Sequence, residues 1–158
     1  SGKFVPASKI VDNPTKFYKY PCYGGNGKRG YTDTMTNDGD YIIIGRQGAL
    51  CGNVCMAHGK FHATEHAIVV YPNQKVNNLW LKYFLINMNL NQYSTGRAQP
   101  GLSVQKLLAI HTSIPKTIDT QRIIAEQLSL CEQEIEALYK KMASCPARKQ
   151  AILDKYLK

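Results

Sequence analysis

Residues 118–144, from Ile118 to Ser144, read IDTQRIIAEQLSLCEQEIEALYKKMAS. Here and just beyond, Ile124, Leu128, Cys131, Ile135, Leu138, Met142 and Cys145 recur at intervals of 4, 3, 4, 3, 4 and 3 residues. An apolar residue every 3.5 positions keeps one stripe of a helix facing one direction, the a/d seam of a coiled coil. At 1.5 Å per residue the stretch spans about 40 Å of helix. Thr117 or Thr120 is placed to cap its first turn, and Asp119 complements the positive end of the helix dipole. Pro146 lacks the amide proton that a helix interior uses, which predicts a break or kink. Ile152 and Tyr156 resume the phase, as expected of a second short helix continuing the seam. Such a stripe either pairs with a helix of another chain or packs on its own domain. Its length, charged flanks and low net charge favour a partner helix.

Outside this helix the composition changes. The chain has 20 Lys and Arg against 11 Asp and Glu, a net charge of +9. Residues 1–117 hold 13 basic and 5 acidic side chains, and residues 118–158 hold 7 and 6. The net excess, +8 against +1, therefore lies almost wholly on the first segment. That is the footprint of a surface meeting phosphates, or simply of a soluble basic protein. The sequence divides accordingly into a basic, nucleic-acid-binding module, 1–117, and a dimerisation or spacer helix, 118–158.

Within 1–117 the expected elements are mixed. Residues 1 to about 40 are rich in Gly, Pro, Asn and aromatics and read as short strands and exposed loops. Asn37-Asp38-Gly39-Asp40 is a turn signal ahead of Tyr41-Ile42-Ile43-Ile44-Gly45, a β-branched run typical of a buried strand. A second strand is expected at Ala67–Tyr71. Leu79, Trp80, Tyr83, Phe84 and Ile86 recur at helical spacing and predict a helix over about 78–89. A short helix near Ser103–Leu108 and a strand over Ala109–Ile114 complete an α+β pattern.

No stretch approaches ~18 consecutive apolar residues, so no membrane span is expected. Five cysteines, an odd set without a secretion signal, suggest reduced thiols and a cytoplasmic location. Ser1-Gly2 reads as the scar of a cleaved segment, so the natural chain is expected to begin elsewhere or to be longer.

The most specific motif is Tyr20-Pro21-Cys22-Tyr23-Gly24-Gly25-Asn26-Gly27-Lys28-Arg29-Gly30-Tyr31. Together with Gly45-Arg46-Gln47-Gly48-Ala49-Leu50-Cys51-Gly52-Asn53-Val54 it resembles the target-recognition domains of type I restriction–modification specificity subunits. Ala63-Thr64-Glu65-His66-Ala67, Leu90-Asn91-Gln92-Tyr93 and Ala98-Gln99-Pro100-Gly101-Leu102-Ser103 follow in the same order. Ile114-Pro115 and then Gln121-Arg122-Ile123-Ile124 look like the approach to that family's conserved helix. The resemblance runs from about Lys19 to the C-terminus, although the tryptophan-containing opening usual in the family is absent. It implies an α/β (α+β) fold: a twisted, curled, mostly β domain with packed helices, then a long coiled-coil helix. Full subunits carry two domains and two helices. This sequence has one of each, and so resembles a half-subunit or an excised half.

The residues themselves suit that reading. Gly24, Gly25, Gly27 and Gly30 permit close backbone approach. A loop that also offers Tyr23, Asn26, Lys28, Arg29 and Tyr31 is a compact wedge of hydrogen-bonding groups. Lys and Arg suit guanine O6/N7 or phosphate, and Asn suits adenine N6/N7. Arg46 and Gln47 are expected at the end of a buried strand, and Arg97 and Gln99 on a third loop. The candidate DNA contacts are therefore Tyr23, Gly25, Asn26, Lys28, Arg29, Tyr31, Arg46, Gln47, Arg97 and Gln99. The candidate dimer interface is Ile124, Leu128, Cys131, Ile135, Leu138 and Met142.

Other chemistries fit less well. Gly25–Gly30 matches G-x-G-x-x-G, but a turn rather than a helix is expected after it, unlike a dinucleotide fold. Cys51, Cys55, His58 and His62 have plausible zinc-ligand types. The two cysteines lie in apolar sequence, however, and the spacer between ligand pairs is short. Asp12-Asn13-Pro14-Thr15 lacks the second proline and aromatic of an amino-methyltransferase motif. Cys55 and His58 have no orienting partner for nucleophilic catalysis. The expectation is sequence-specific recognition of double-stranded DNA by a non-catalytic half-subunit, with no catalytic residues, metal or cofactor. Its expected partners are a second copy and the modification and restriction subunits. The alternatives are a scaffold that binds proteins through its helix, and the recognition domain of a single-chain restriction–methylation enzyme.

Overall fold

Ile42, Ile43 and Ile44 are all buried, which explains why this strand reads as an unbroken apolar run rather than an alternating one. The computed structural model describes residues 1–96 and 98–157. The central strand, β4 (Tyr41–Gly45), lies between β5 (Val54–Ala57) and β7 (Ala67–Val70), both antiparallel to it. A second sheet has the order β2-β1-β6-β3, with β1 at Tyr20–Gly24, β2 at Gly27–Thr32, β3 at Asn37–Asp38 and β6 at Lys60–Ala63. Strands β1 and β2 form an antiparallel hairpin with a bulge between Cys22 and Tyr23, and β1 runs parallel to β6.

Because side chains alternate along a strand, β4 serves two cores. Ile43 joins Ala57, Phe61, Ala63 and Ala67 between the sheets. Ile42 and Ile44 join Val54, Ile68, Leu90 and Leu102 beneath helices α1 (Asn78–Asn87) and α2 (Val104–Leu108). Each fully buried isoleucine contributes about 1.5–3 kcal/mol. Asn77 caps α1 by accepting from the Trp80 amide at 2.9 Å, and Ser103 caps α2 by accepting from the Lys106 amide.

Helix α3 (Ile118–Tyr156) starts at Thr117, whose hydroxyl oxygen accepts from the Thr120 amide at 3.1 Å. Its 39 residues extend about 58 Å. Gln121 and Ala125 are its only residues with buried side chains among those described, and they seat its first turns on α1. The Asn77 amide donates to Gln121 Oε1 at 2.9 Å, and Gln121 Nε2 donates to the Pro115 carbonyl at 3.0 Å. Farther along, Lys82 Nζ and the Tyr83 hydroxyl both donate to the Glu132 carboxylate, at 3.1 and 2.6 Å. Beyond Glu132 every described side chain of the helix is exposed.

Several sequence expectations are corrected. Pro146 does not interrupt α3. One lost amide bond in a solvated stretch, where water can serve the freed carbonyl, is outweighed by the good helix formers on both sides. Residues 109–114 form no strand. Ile110 and Ile114 instead line an apolar groove against Trp80 and Phe84 on α1, so their hydrophobicity reflects packing without a strand ladder. Asn37 and Asp38 pair with Phe61 and Lys60, and the turn comes at Gly39 (φ 129°). Gly24–Tyr31, expected as an open loop, is mostly strand with a two-residue tip at Gly25-Asn26. Gly2, at the start of the described chain, packs against the module. Its amide donates to the Ala67 carbonyl at 3.0 Å, and a Cβ there would lie 2.0 Å from the Ala63 oxygen.

Candidate nucleic-acid interface

Three segments that are remote in sequence meet at one end of the module. They are the tip of the β1–β2 hairpin, the β4–β5 connection (residues 46–53) and the segment following Thr95. The hairpin tip approaches β4 backbone to backbone. A Cβ on Gly45 would lie 1.9 Å from the Gly25 oxygen, and one on Gly25 would lie 2.4 Å from the Gln47 oxygen. No side chain fits at either position, so the two glycines make the junction possible. Asn53 Nδ2 donates to Asn26 Oδ1 at 3.0 Å and ties the tip to the far end of the connection. The third segment is laced in by the Gly48 amide to the Pro100 carbonyl (2.9 Å) and the Leu102 amide to the Arg46 carbonyl (2.8 Å). An isolated bridge pairs Gln47 with Gly101.

The junction forms an open cleft of about 510 Å³ lined by Gly25, Asn26, Arg29, Gln47, Leu50, His66 and Gln99, with Gly48 and Ala49. A guanidinium and three carboxamides are thus held on a hydrogen-bonded backbone, and such groups suit bidentate contacts to base edges. A second cleft, of about 430 Å³, lies on the other side of Asn26, Ala49 and Leu50 and is lined by Asn53, Asn89 and Asn91.

Of the residues singled out in the sequence, Asn26, Arg29, Gln47 and Gln99 come together in the first cleft. Arg46 flanks it, its guanidinium donating to the Ser1 hydroxyl at 2.9 Å. Lys28 and Tyr31 pair with each other on β2, Lys28 Nζ lying 2.6 Å from the Tyr31 hydroxyl and 4.1 Å from the ring centre. Tyr23 is half-buried against the core. Its ring packs edge-on against Phe61 at 5.6 Å, and burial raises its hydroxyl pKa above the ordinary tyrosine value. Arg97 lies outside the described residues. His66, Leu50, Asn89 and Asn91 were not visible as site residues in the sequence, because nothing local to them announces a cleft.

The Cys/His set is dispersed into separate roles. His62 is buried between the Thr34 hydroxyl (3.0 Å) and the Lys3 carbonyl (2.9 Å). Since a carbonyl only accepts, Nε2 carries the proton and Nδ1 accepts from Thr34. His58 contacts Asp40, and His66 contacts Glu65. Cys51 is buried beside Asn91. Burial pushes the Cys22 and Cys55 thiols above the ordinary thiol range, away from a reactive thiolate. Among the described residues, no three His, Cys, Asp or Glu side chains form a group able to hold a metal ion. No described helix is long and apolar enough to cross a membrane.

The seam of α3 faces away from the module. Leu128, Ile135, Leu138 and Met142 are 42, 54, 58 and 66% exposed, Cys131 is exposed, and Ile124 is half-buried. At about 100° per residue, the seam lies roughly 100° around the helix from the Gln121–Ala125–Ser129–Glu132 face that docks on α1. Docking therefore leaves the a/d stripe uncovered.

Fold and cleft together define an α+β module with a loop-built polar cleft at one end and a projecting helix that carries an open apolar seam. The chain belongs to the family of the type I restriction modification DNA specificity domain, which matches residues 2–142. It is 46% identical over 125 residues to the EcoprrI type I restriction enzyme specificity subunit of Escherichia coli, covering 79% of this chain and 31% of that protein. A putative type I specificity subunit of Haemophilus influenzae is 31% identical over 119 residues, 68% of this chain and 31% of that one. The S subunit of M. genitalium superposes with a TM-score of 0.67 at 20% identity, over 98% of this chain and 40% of that one. The HsdS subunit of Thermoanaerobacter tengcongensis gives 0.66 at 18%, with the same coverage. The chain thus spans about a third of the curated relatives and two fifths of the solved structures, whose likeness shows the fold.

Proposed function

We propose that the chain is a non-catalytic half of a specificity subunit that recognises a particular double-stranded DNA sequence. The observation that carries this reading is the convergence of Asn26, Arg29, Gln47 and Gln99 in one cleft of a module with a net charge of +8 (13 basic against 5 acidic residues over 1–117). Phosphate contacts by cations outside the cleft position the duplex, and the cleft residues read base edges. Gly25 acts through the backbone junction it permits.

Helix α3, with its seam open, makes the C-terminal segment 118–158 the spacer. Two copies paired antiparallel along Ile124, Leu128, Cys131, Ile135, Leu138 and Met142 form a twofold dimer that reads a bipartite palindrome. Such a unit directs separate modification and restriction subunits, a reading supported by the chain's membership of the specificity-domain family. Selection of bound duplexes from a random library tests the reading. A two-part symmetric sequence supports it, and salt-sensitive binding without any preferred sequence refutes it.

A further inference from the structure

Leu50 is 58% exposed at the tip of the β4–β5 connection, among amides and a guanidinium. An isolated exposed leucine is ordinary, but this one is held rigidly. The Cys51 amide donates to the Gly48 carbonyl, the Asn53 amide to the Leu50 carbonyl, the Gly52 amide to the Gly45 carbonyl and Asn91 Nδ2 to the Cys51 carbonyl, all within 3.1 Å. Gly48 (φ 96°) and Gly52 (φ 90°) supply the backbone reversals on either side. Leu50, Ala49 and Asn26 also line both clefts, and so form the ridge between them.

We infer that Leu50 is a specificity residue that packs against the C5-methyl group of a thymine in the major groove. This rests on the proposed DNA-reading role of the cleft. In the major groove an A·T pair offers adenine N6/N7, which suit a carboxamide, and a thymine methyl, the one apolar feature of its edge. Asn26 and Leu50, side by side on the ridge, supply these two complements. A polar residue could replace neither the shape nor the dry contact of Leu50, whereas the remaining cleft side chains are all polar or small.

The test removes the methyl from the DNA rather than from the protein. Duplexes carrying the selected sequence are made with each thymine replaced in turn by deoxyuridine. Wild-type binding is expected to fall about fourfold at one position of the half-site, as for loss of one buried methyl group. Leu50→Ala, whose urea unfolding curve should match the wild type, binds the thymine and uracil duplexes alike. A wild type indifferent to every replacement, or a Leu50→Ala variant that still discriminates fourfold, overturns the inference while leaving the proposed function standing. So does a uniform loss on both duplexes with brightening of a 2-aminopurine in the site, which marks a stacking wedge. Absence of any preferred sequence removes the proposed function and this inference together.

Discussion

The carbonyl oxygen of Gly25 occupies the space that a side chain on Gly45 would fill, at 1.9 Å from the position of its Cβ. Hairpin tip and central strand can meet only because both positions are glycine. Gly45→Ala must therefore push the tip away, at a cost of about 1–3 kcal/mol as for an overpacked core, with loss of sequence-specific binding. Gly59→Ala is the control. Nothing lies within 4 Å of its Cβ, and only the positive φ of 63° is penalised, at about 1 kcal/mol. Urea unfolding and binding assays on both variants check the contrast: Gly59→Ala should bind normally.

The docking of α3 should depend on pH. Hydrogen bonds from Tyr83 and then Lys82 hold the Glu132 carboxyl below the ordinary glutamate range. A depressed folded-state pKa gives stability that is present above the unfolded value and lost as pH falls through the folded value. Burial, reinforced by the bond to Glu132, raises the Tyr83 hydroxyl, so its contribution holds below the ordinary tyrosine value and is lost as pH rises through the folded one. A distance probe between α1 and α3 should report loosening at both extremes. Glu132→Gln should abolish the acid limb, and Tyr83→Phe the alkaline one.

Much of the fold could be read from local sequence. The Ile42–Ile44 run, the helix at 78–87 and the seam of α3 declare themselves through periodicity and β-branching. What escaped depends on long-range contact. Gln121, polar and off the seam, gives no hint that it is buried, yet its amide bridges Asn77 and Pro115. Residues 109–114 look like a strand because Ile110 and Ile114 are apolar, but apolarity alone does not separate a strand from a packed extended segment. In the candidate site, Asn26, Arg29, Gln47 and Gln99 were legible as loop residues. Their common cleft was not, because it depends on two glycines, 25 and 45, twenty positions apart. Tyr23 illustrates the same point: the chemistry of its ring is visible in the sequence, but its packing against Phe61 is not.

The seam predicts self-association. Replacing both Ile135 and Leu138 by Asp removes two exposed apolar side chains without touching the Gln121–Glu132 docking face. Light scattering should show dimers for the wild type and monomers for the double variant, with circular dichroism of the module unchanged. A monomeric wild type at micromolar concentration would contradict self-pairing.

Pro146→Ala restores an amide donor in the solvated half of α3, where proline costs about 3 kcal/mol relative to alanine. The variant should melt at a higher temperature with its helix content by circular dichroism unchanged, since α3 already runs through Pro146. A gain of helicity would mean that the helix is frayed around Pro146 in the wild type.

The central claim is that the cleft reads bases while the scattered cations only hold the backbone. It is tested most directly by measuring Arg29→Ala, Gln47→Ala and Lys60→Ala on the selected duplex and on every single-base variant of it. Loss of Arg29 or Gln47 should cost about 1–3 kcal/mol on the cognate duplex and flatten discrimination at one position. Lys60, at the end of the module away from the cleft, should leave discrimination between duplexes unchanged when lost, and should lower the salt slope by about 1 only if it touches phosphate. If Arg29→Ala and Gln47→Ala weaken all variants uniformly, the cleft is a phosphate clamp and the account is wrong.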